Sequence, residues 1–322
     1  MSRVLITGGG GFIGQKLAHA LAIAGSIRGQ AISELVLADV VLPGPMETGI
    51  SVARIIADMS DPAEVARIWG DGFDVIYHLA AVVSGAAEAD FDLGMQANLM
   101  GTLNLASAAR AQGTCPVFVY ASSVAVHGGE VPDPVPEGAE LNPQTSYGSQ
   151  KAMGELLIQD MSRKGFIDGR GLRLPTVTVR PGKANAAASS FMSSIFRDTL
   201  EGRRANCPVS GDYLVWHTAP RTIIRNLLHA AEVDGADFGY NRNINLPGRS
   251  DTINDMIAAM KLVAGDDPVG RITWERDPAV EAIALGWRGA VRHDKALGLG
   301  FVADESFENS IRWFLEDDIN QG

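Results

Sequence analysis

Apolar residues along this chain fall into short unbroken runs, separated by longer stretches in which they recur every third or fourth position. That is the pattern of buried strands alternating with one-faced helices. Val4-Leu5-Ile6-Thr7 is the first run, and Phe12, Leu17, Leu21 and Ile23 then space a helix that reaches Gly25. Glu34 to Asp39 forms the second run, so Gly25 to Gln30 reads as a small loop insertion. Ser51 to Ala57 predicts a third strand closing on Asp58-Met59, followed by a helix from Asp61 through Trp69 and a fourth strand over Phe73 to Ala81. Met95, Leu99, Leu103 and Leu105 are spaced for one long helix over Phe91 to Gln112, and Pro116 to Ala121 predicts the fifth strand. A loop rich in Pro, Gly and Glu spans Gly129 to Pro143, and a helix opens at Ser146. Leu172 to Val179 predicts a sixth strand, in which Pro175 marks an edge or a bulge. Further helices are predicted over Thr222 to Val233, Thr252 to Ala264, Pro278 to Leu285 and Ser306 to Leu315, with strand-like segments at Asn243 to Gly248 and Arg271 to Trp274.

Such alternation specifies an α/β fold: a doubly wound parallel sheet with helices on both faces, and ligands expected at the carboxyl ends of its strands. Residues 1–180 with about 218–250 form the larger domain, and about 181–217 with 251–322 form a smaller α/β lobe, so the two interleave. Composition narrows the function classes. The 322 residues are 46% apolar and 20% charged, an ordinary folded protein, with a net charge of −11 that disfavours nucleic acid or an anionic membrane as partner. Neither the two cysteines (Cys115, Cys207) nor the six histidines are spaced to hold a metal, and none is expected. The first apolar run is too short and too rich in glycine for a signal peptide, and no stretch reaches the ~18 apolar residues of a membrane helix, which points to the cytoplasm.

The candidate chemistry begins where the first strand breaks into Gly8-Gly9-Gly10-Gly11. Four glycines alone would suit any flexible connection. Here a strand precedes them and a helix follows, so Gly8 allows the chain to reverse, Gly11 admits a pyrophosphate against the backbone and Gly14 lets the helix pack close. Asp39 ends the second strand, where a carboxylate accepts from both hydroxyls of an adenosine ribose and repels a 2′-phosphate. The Val40-Val41-Leu42 segment after it carries no cation for that phosphate, so NAD is expected rather than NADP. Asp58 is placed for the adenine amino group. Tyr147 and Lys151 stand at i and i+4 and share one helix face. Against a free phenol pKa near ~10, an adjacent ammonium and an oxidised nicotinamide would both favour the phenolate, making Tyr147 a general base.

Taken together, Thr7-Gly8-x-x-Gly11-x-x-Gly14, His78-Leu79-Ala80-Ala81, Ser122-Ser123 with His127-Gly128, and Tyr147-x-x-x-Lys151 resemble the extended short-chain dehydrogenase/reductase family, with His127 where tyrosine is common. The resemblance implies a Rossmann fold binding NAD through Gly8, Gly11, Phe12, Ile13, Gly14, Asp39, Asp58, Met59, Leu79, Ala80, Ala81 and Pro181. It implies a catalytic set of Ser123, Tyr147 and Lys151, with Ser123 holding the substrate oxygen and Lys151 the nicotinamide ribose. It gives Asn98 the task of opening its helix and holding a water that links Lys151 to solvent, although a buried asparagine there can equally satisfy a carbonyl. His78 is structural by the same likeness, and a homodimer through the helices carrying Asn98 and Tyr147 is expected.

The segment from Ala184 to Phe191 is similar to one branch of that family, the D-erythronate dehydrogenases, which oxidise C2 of a four-carbon sugar acid. On this reading the substrate meets Ser123 and Tyr147, with Lys183, Asn185, Ser190, His217 and Arg221 as candidate contacts for its polar groups. The helix start at Ser189 and Ser190 suits a carboxylate and equally an ordinary N-cap. Arg221, just after Pro220, equally suits a helix-start surface residue. Where nucleotide-sugar epimerases and dehydratases carry an arginine for the diphosphate, this chain has Tyr213, which counts against such a substrate. Those enzymes, and a non-catalytic NAD-sensing protein, remain the alternatives.

Overall fold

The computed structural model describes residues 1–182, 188–278, 280–281 and 286–319. The apolar runs become strands β1 (Ser2–Thr7), β2 (Ser26–Ile27), β3 (Gln30–Asp39), β4 (Ser51–Ile56), β5 (Val75–His78), β6 (Val117–Ser123) and β7 (Asp168–Leu174). Among the described residues they form, with β11 (Asn243–Asn245), an eight-stranded sheet. Its order is β11-β7-β6-β5-β1-β3, with β4 and the short β2 also paired to β3. Every pairing is parallel except β2 with β3. Strand order reverses between β1 and β5, which makes their carboxyl ends the ligand crevice of such a sheet.

Helices α1 (Phe12–Ala24), α2 (Pro62–Trp69), α3 (Ser84–Ala89), α4 (Phe91–Gly94), α5 (Gly101–Gln112), α6 (Ser146–Arg163), α7 (Phe191–Leu200) and α8 (Pro220–Glu232) include the two layers that cover this sheet. The central stretches of β1, β3, β5 and β6 are apolar at successive positions because successive side chains go to opposite covered faces. Val4, Ile6, Leu35 and Leu37 join Leu17 and Leu21 of α1 and Ile223 and Leu227 of α8. Leu5, Val36, Ile76 and Phe118 join Val65 and Ile68 of α2, Leu105 of α5 and Ile158 of α6. Each such fully buried side chain contributes roughly 1.5–3 kcal/mol. Both ends of α8 are satisfied from far away in sequence: Asp304 accepts from Ala219 N at 2.9 Å and Thr218 Oγ1 at 2.8 Å. Buried Arg170 donates to the carbonyls of Ala230 and Val233 at 2.5 and 2.8 Å.

The smaller lobe holds a sheet of β8 (Thr176–Val177), β10 (Leu214–Thr218) and β12 (Arg249–Thr252), and a pair of β9 (Ala205–Asn206) with β13 (Ile272–Thr273). Its own core gathers Ile195, Phe196, Val215, Met256, Met260 and Phe307. No described helix is long and apolar enough to cross a membrane.

Several elements differ from the sequence pattern, α3 and β10 among them, which it did not announce. Gly25 to Gln30 is a β-hairpin turn, because Arg28 and Gly29 take positive φ (51° and 71°) and β2 pairs back on Gln30 and Ala31. The predicted sixth strand is two: Pro175, lacking an N–H, separates β7 in the large sheet from β8 in the small one, so the chain first crosses between lobes there. The long helix is interrupted, since Met95–Met100 between α4 and α5 is a π-turn segment. A helix over Asp294–Gly298 has no apolar periodicity long enough to announce it. The predicted helix at Pro278 to Leu285 lies mostly outside the described residues.

Candidate active site

The glycine turn is shaped by two close approaches. Gly8 has φ +72°, and a Cβ there would stand 2.7 Å from Ala80 N, because Leu79 and Ala80 leave β5 directly over it. A Cβ on Gly14 would stand 2.2 Å from Gly8 O, so its tight partner is the turn itself rather than β1. Gly11 is the N-cap of α1, with no side-chain cap and no acidic residue in the first turn. The N–H groups that open α1 are thus left for an anion. Asp39 comes back to the turn: its Oδ2 accepts from Gly10 N at 2.9 Å and its Oδ1 from Val41 N at 3.3 Å. Val40, Val41 and Leu42 beside it are exposed and uncharged. Asp58 is exposed and accepts from Ser60 N at 2.8 Å, while Met59 is buried with its carbonyl taken by Asn104 at 3.0 Å. A cradle that side chains would fill, with a carboxylate and no cation at its ribose end, fits NAD.

At the far edge of the crevice, Thr145 caps α6 and sets Tyr147, Lys151 and Glu155 one turn apart on one face. Ser123, at the end of β6, favours the ionised Tyr147 phenol, but burial outweighs it and pushes that phenol up to about 12. The expectation that Lys151 holds the phenol down is not met by the protein alone. Lys151 Nζ is 5.7 Å from the Tyr147 ring centroid and donates to Ala121 O at 2.8 Å. Burial draws the ammonium itself down to about 8 against the opposing charge of Glu155. Removal from water dominates both groups.

Four buried residues that sequence reasoning passed over, Glu155, Arg173, Gln150 and Thr102, support this face. Glu155 accepts from Ser122 Oγ at 2.5 Å and from Arg173 Nε and NH2 at 2.9 and 2.7 Å. Gln150 Oε1 accepts from Asn98 Nδ2 at 2.8 Å, and Asn98 also exchanges bonds with both backbone groups of Val82 (2.8 and 3.1 Å). Asn98 therefore ties α6 to the loop after β5, while the π-turn frees its own carbonyl for Thr102 Oγ1 at 2.7 Å. Thr102 is then the acceptor for His78 Nε2 (2.9 Å), and His78 Nδ1 accepts from Thr7 Oγ1 (2.7 Å). Burial drops His78 to about 3, and it stays a neutral structural link. A four-residue spacing from Lys151 was the signal available for Glu155.

Between the lobes lies a cavity of about 350 Å³. Gly8, Gly11, Phe12, Ile13, Gly14 and Leu79 form one wall, and Pro181, Ser190 and two arginines, Arg180 and Arg197, form the other. Of the residues considered for substrate, Ser190 lines it, whereas Lys183 and Asn185 lie outside the described residues. His217 does not reach it: fully buried, it meets Asp251 Oδ2 at 2.9 Å and packs edge-on to Phe307. Arg221 is taken up by Glu316 at 2.8 Å and Asp317 at 2.5 Å on the exposed end of α8. Packing, in one case, and ion pairing, in the other, hold these two side chains where they are. Arg180 and Arg197 were missed because they reach the site only when α7 folds against the strand end at Pro181.

Residues 4–233 match the model of the NAD dependent epimerase/dehydratase family. The chain is 48% identical to D-erythronate dehydrogenase of Cupriavidus necator and 39% identical to that of Haemophilus influenzae. The first likeness covers 98% of both chains, the second 98% of this chain and all of the relative. A crystal structure described as a nucleoside-diphosphate-sugar epimerase from Agrobacterium tumefaciens superposes with a TM-score of 0.95 at 41% identity, covering all of this chain and 95% of that one. The glycine cradle, the Asp39 carboxylate folded back on it and these likenesses agree, and the chain belongs to the NAD dependent epimerase/dehydratase family, with NAD as its cofactor.

Proposed function

We propose that the protein oxidises the C2 hydroxyl of a small sugar acid, D-erythronate or a close four-carbon relative, to the 2-oxo acid. The observation that carries this reading is that the likeness to two D-erythronate dehydrogenases spans both lobes, including the one that would select substrate. Bound oxidised NAD would accept the hydride from C2. Ser123 holds the substrate oxygen, and Tyr147, whose ionised form Ser123 favours, takes its proton. With a phenol at about 12, Tyr147 works as a base only with added positive charge nearby, which the oxidised nicotinamide brings beside Lys151. Lys151 spends one N–H on Ala121 O and keeps two for ribose hydroxyls.

A nucleotide-sugar epimerase is the second reading, favoured by the likeness to the Agrobacterium structure. Against it, Tyr213 stands where those enzymes carry the diphosphate arginine. The two readings separate in one assay: NADH formation with D-erythronate, L-threonate and longer aldonic acids, beside interconversion of UDP-glucose and UDP-galactose. Turnover of a four-carbon acid supports the proposal; UDP-sugar interconversion with no acid oxidised defeats it. We also infer a homodimer through α4 and α6, where Phe91, Leu93, Met153 and Leu156 are exposed apolar side chains on adjacent elements. Leu156→Glu should then halve the mass seen by light scattering, and an unchanged mass refutes that pairing.

A further inference from the structure

The cavity wall opposite the glycine turn carries more positive charge than its own neighbours neutralise. Arg180, partly buried, gives its main-chain N and its Nε to Ser193 Oγ (3.2 and 3.4 Å), and among the described residues it has no carboxylate partner. Arg197, 2% exposed, donates through NH1 to Arg180 O at 3.2 Å and pairs with Asp198 Oδ1 at 2.8 Å. Asp198 is shared with Arg203, which also pairs with Glu201. Three guanidinium groups in this cluster thus face two carboxylates, and the surplus charge sits on Arg180, the member that lines the cavity. Burial and the nearness of Arg197 both work against the Arg180 charge, which an anion would relieve.

The facing wall supplies the second observation. It is the uncapped N-terminus of α1 and the turn before it, with no acidic side chain in the first helical turn. Both walls therefore present donors and positive potential to one cleft. Ser123 and Tyr147 do not line that space. A carboxylate one bond from a C2 held at Tyr147 would have to stay beside Tyr147, so the space is the wrong place for it.

We propose that Arg180, braced by Arg197, is the small lobe's counter-charge to the pyrophosphate of bound NAD, gripping it from the side opposite the glycine turn. The lobe that selects substrate is by this contact also a cofactor-binding element. The inference rests on NAD as the cofactor and is independent of which acid is oxidised.

Binding, measured by calorimetry without substrate, tests it. The ligands are NAD, ADP-ribose, which keeps the pyrophosphate, and adenosine, which lacks it; the proteins are wild type, Arg180→Gln and Arg180→Lys, each checked by thermal melt. Arg180→Gln should lose about tenfold or more in affinity for NAD and ADP-ribose, with adenosine unchanged, and Arg180→Lys should retain most of the affinity. The wild-type preference for ADP-ribose should also fall more steeply with salt than that of Arg180→Gln. Unchanged ADP-ribose affinity with a raised KM for the sugar acid would overturn the proposal and assign the guanidinium to the substrate carboxylate. Unchanged binding and unchanged KM would overturn it as well, leaving Arg180 a structural charge.

Discussion

Glu155→Gln removes one charge from the buried cluster beneath Tyr147 and Lys151 while preserving size. Glu155 is wholly buried, Arg173 is 4% exposed, and the two carboxylate oxygens hold three close N–H bonds from Arg173 and one O–H from Ser122. An amide in its place can accept from Ser122 but turns an N–H₂ toward the Arg173 guanidinium, leaving a buried cation without its counter-charge. Breaking a buried pair from one side costs about 3–5 kcal/mol. A second consequence falls on Lys151, whose ammonium Glu155 supports against burial. Without that support its pKa moves below about 8. A fall of one unit would cut the protonated share at pH 8 from about a half to about a tenth. In the proposed mechanism the ammonium is the form that works with Tyr147, so kcat should decline on the alkaline side at a lower pH than in wild type. Urea unfolding followed by tryptophan fluorescence reads the first effect, and kcat against pH the second. The pair Glu155→Met with Arg173→Met should recover at least half of the stability lost by the single change, because no lone charge remains. Glu155→Gln unfolding within about 0.5 kcal/mol of wild type, or a double variant losing the sum of both singles, would refute the account.

Tyr147→Phe should leave NAD affinity within about twofold and lower kcat by at least about a hundredfold, the usual worth of a positioned base; retained turnover in a stopped-flow assay would exclude Tyr147 from proton transfer. Asp39→Ala removes the carboxylate held on Gly10 N and should narrow the NAD over NADP preference by about tenfold or more, read from the two kcat/KM values; an unchanged ratio excludes it from the ribose. Gly8→Ala forces a Cβ to 2.7 Å from Ala80 N at a φ of +72° and should cost roughly 1–3 kcal/mol together with most NAD affinity, so a variant melting like wild type contradicts the close approach. His78 has a folded pKa of about 3 against roughly 6.5 unfolded. Between those values the unfolded chain binds a proton that the folded chain refuses, so stability should fall as pH drops through that window, by up to about 5 kcal/mol, and His78→Gln should flatten that slope in acid titrations.

Much of this protein was legible along the chain because its signals are local. The buried stretches Val4 to Ile6, Leu35 to Ala38, Val75 to Tyr77 and Val117 to Ala121 are apolar without a break since both faces of the sheet are covered, and that pattern specified a doubly wound sheet. Gly8, Gly14, Asp39 and the Tyr147–Lys151 pair were legible because each lies within a turn of chain, or at the end of a single strand, from the element that positions it. Tertiary structure decided the rest, where the partners are far apart in sequence. Pro175 assigns two residues to another sheet, His217 goes into the small core, and Arg221 is spent on Asp317. Glu155 meets Arg173 across 18 positions, and Asp304 caps a helix from 85 positions away. Spacing also placed Lys151 beside Tyr147 and so suggested an acidic phenol, yet folding removed both from water, and the phenol went up to about 12 while the ammonium came down to about 8. Sequence fixes which groups share an element; the energy of a charge depends on how much water and which opposite charges the whole fold leaves around it, and no stretch of chain contains that by itself.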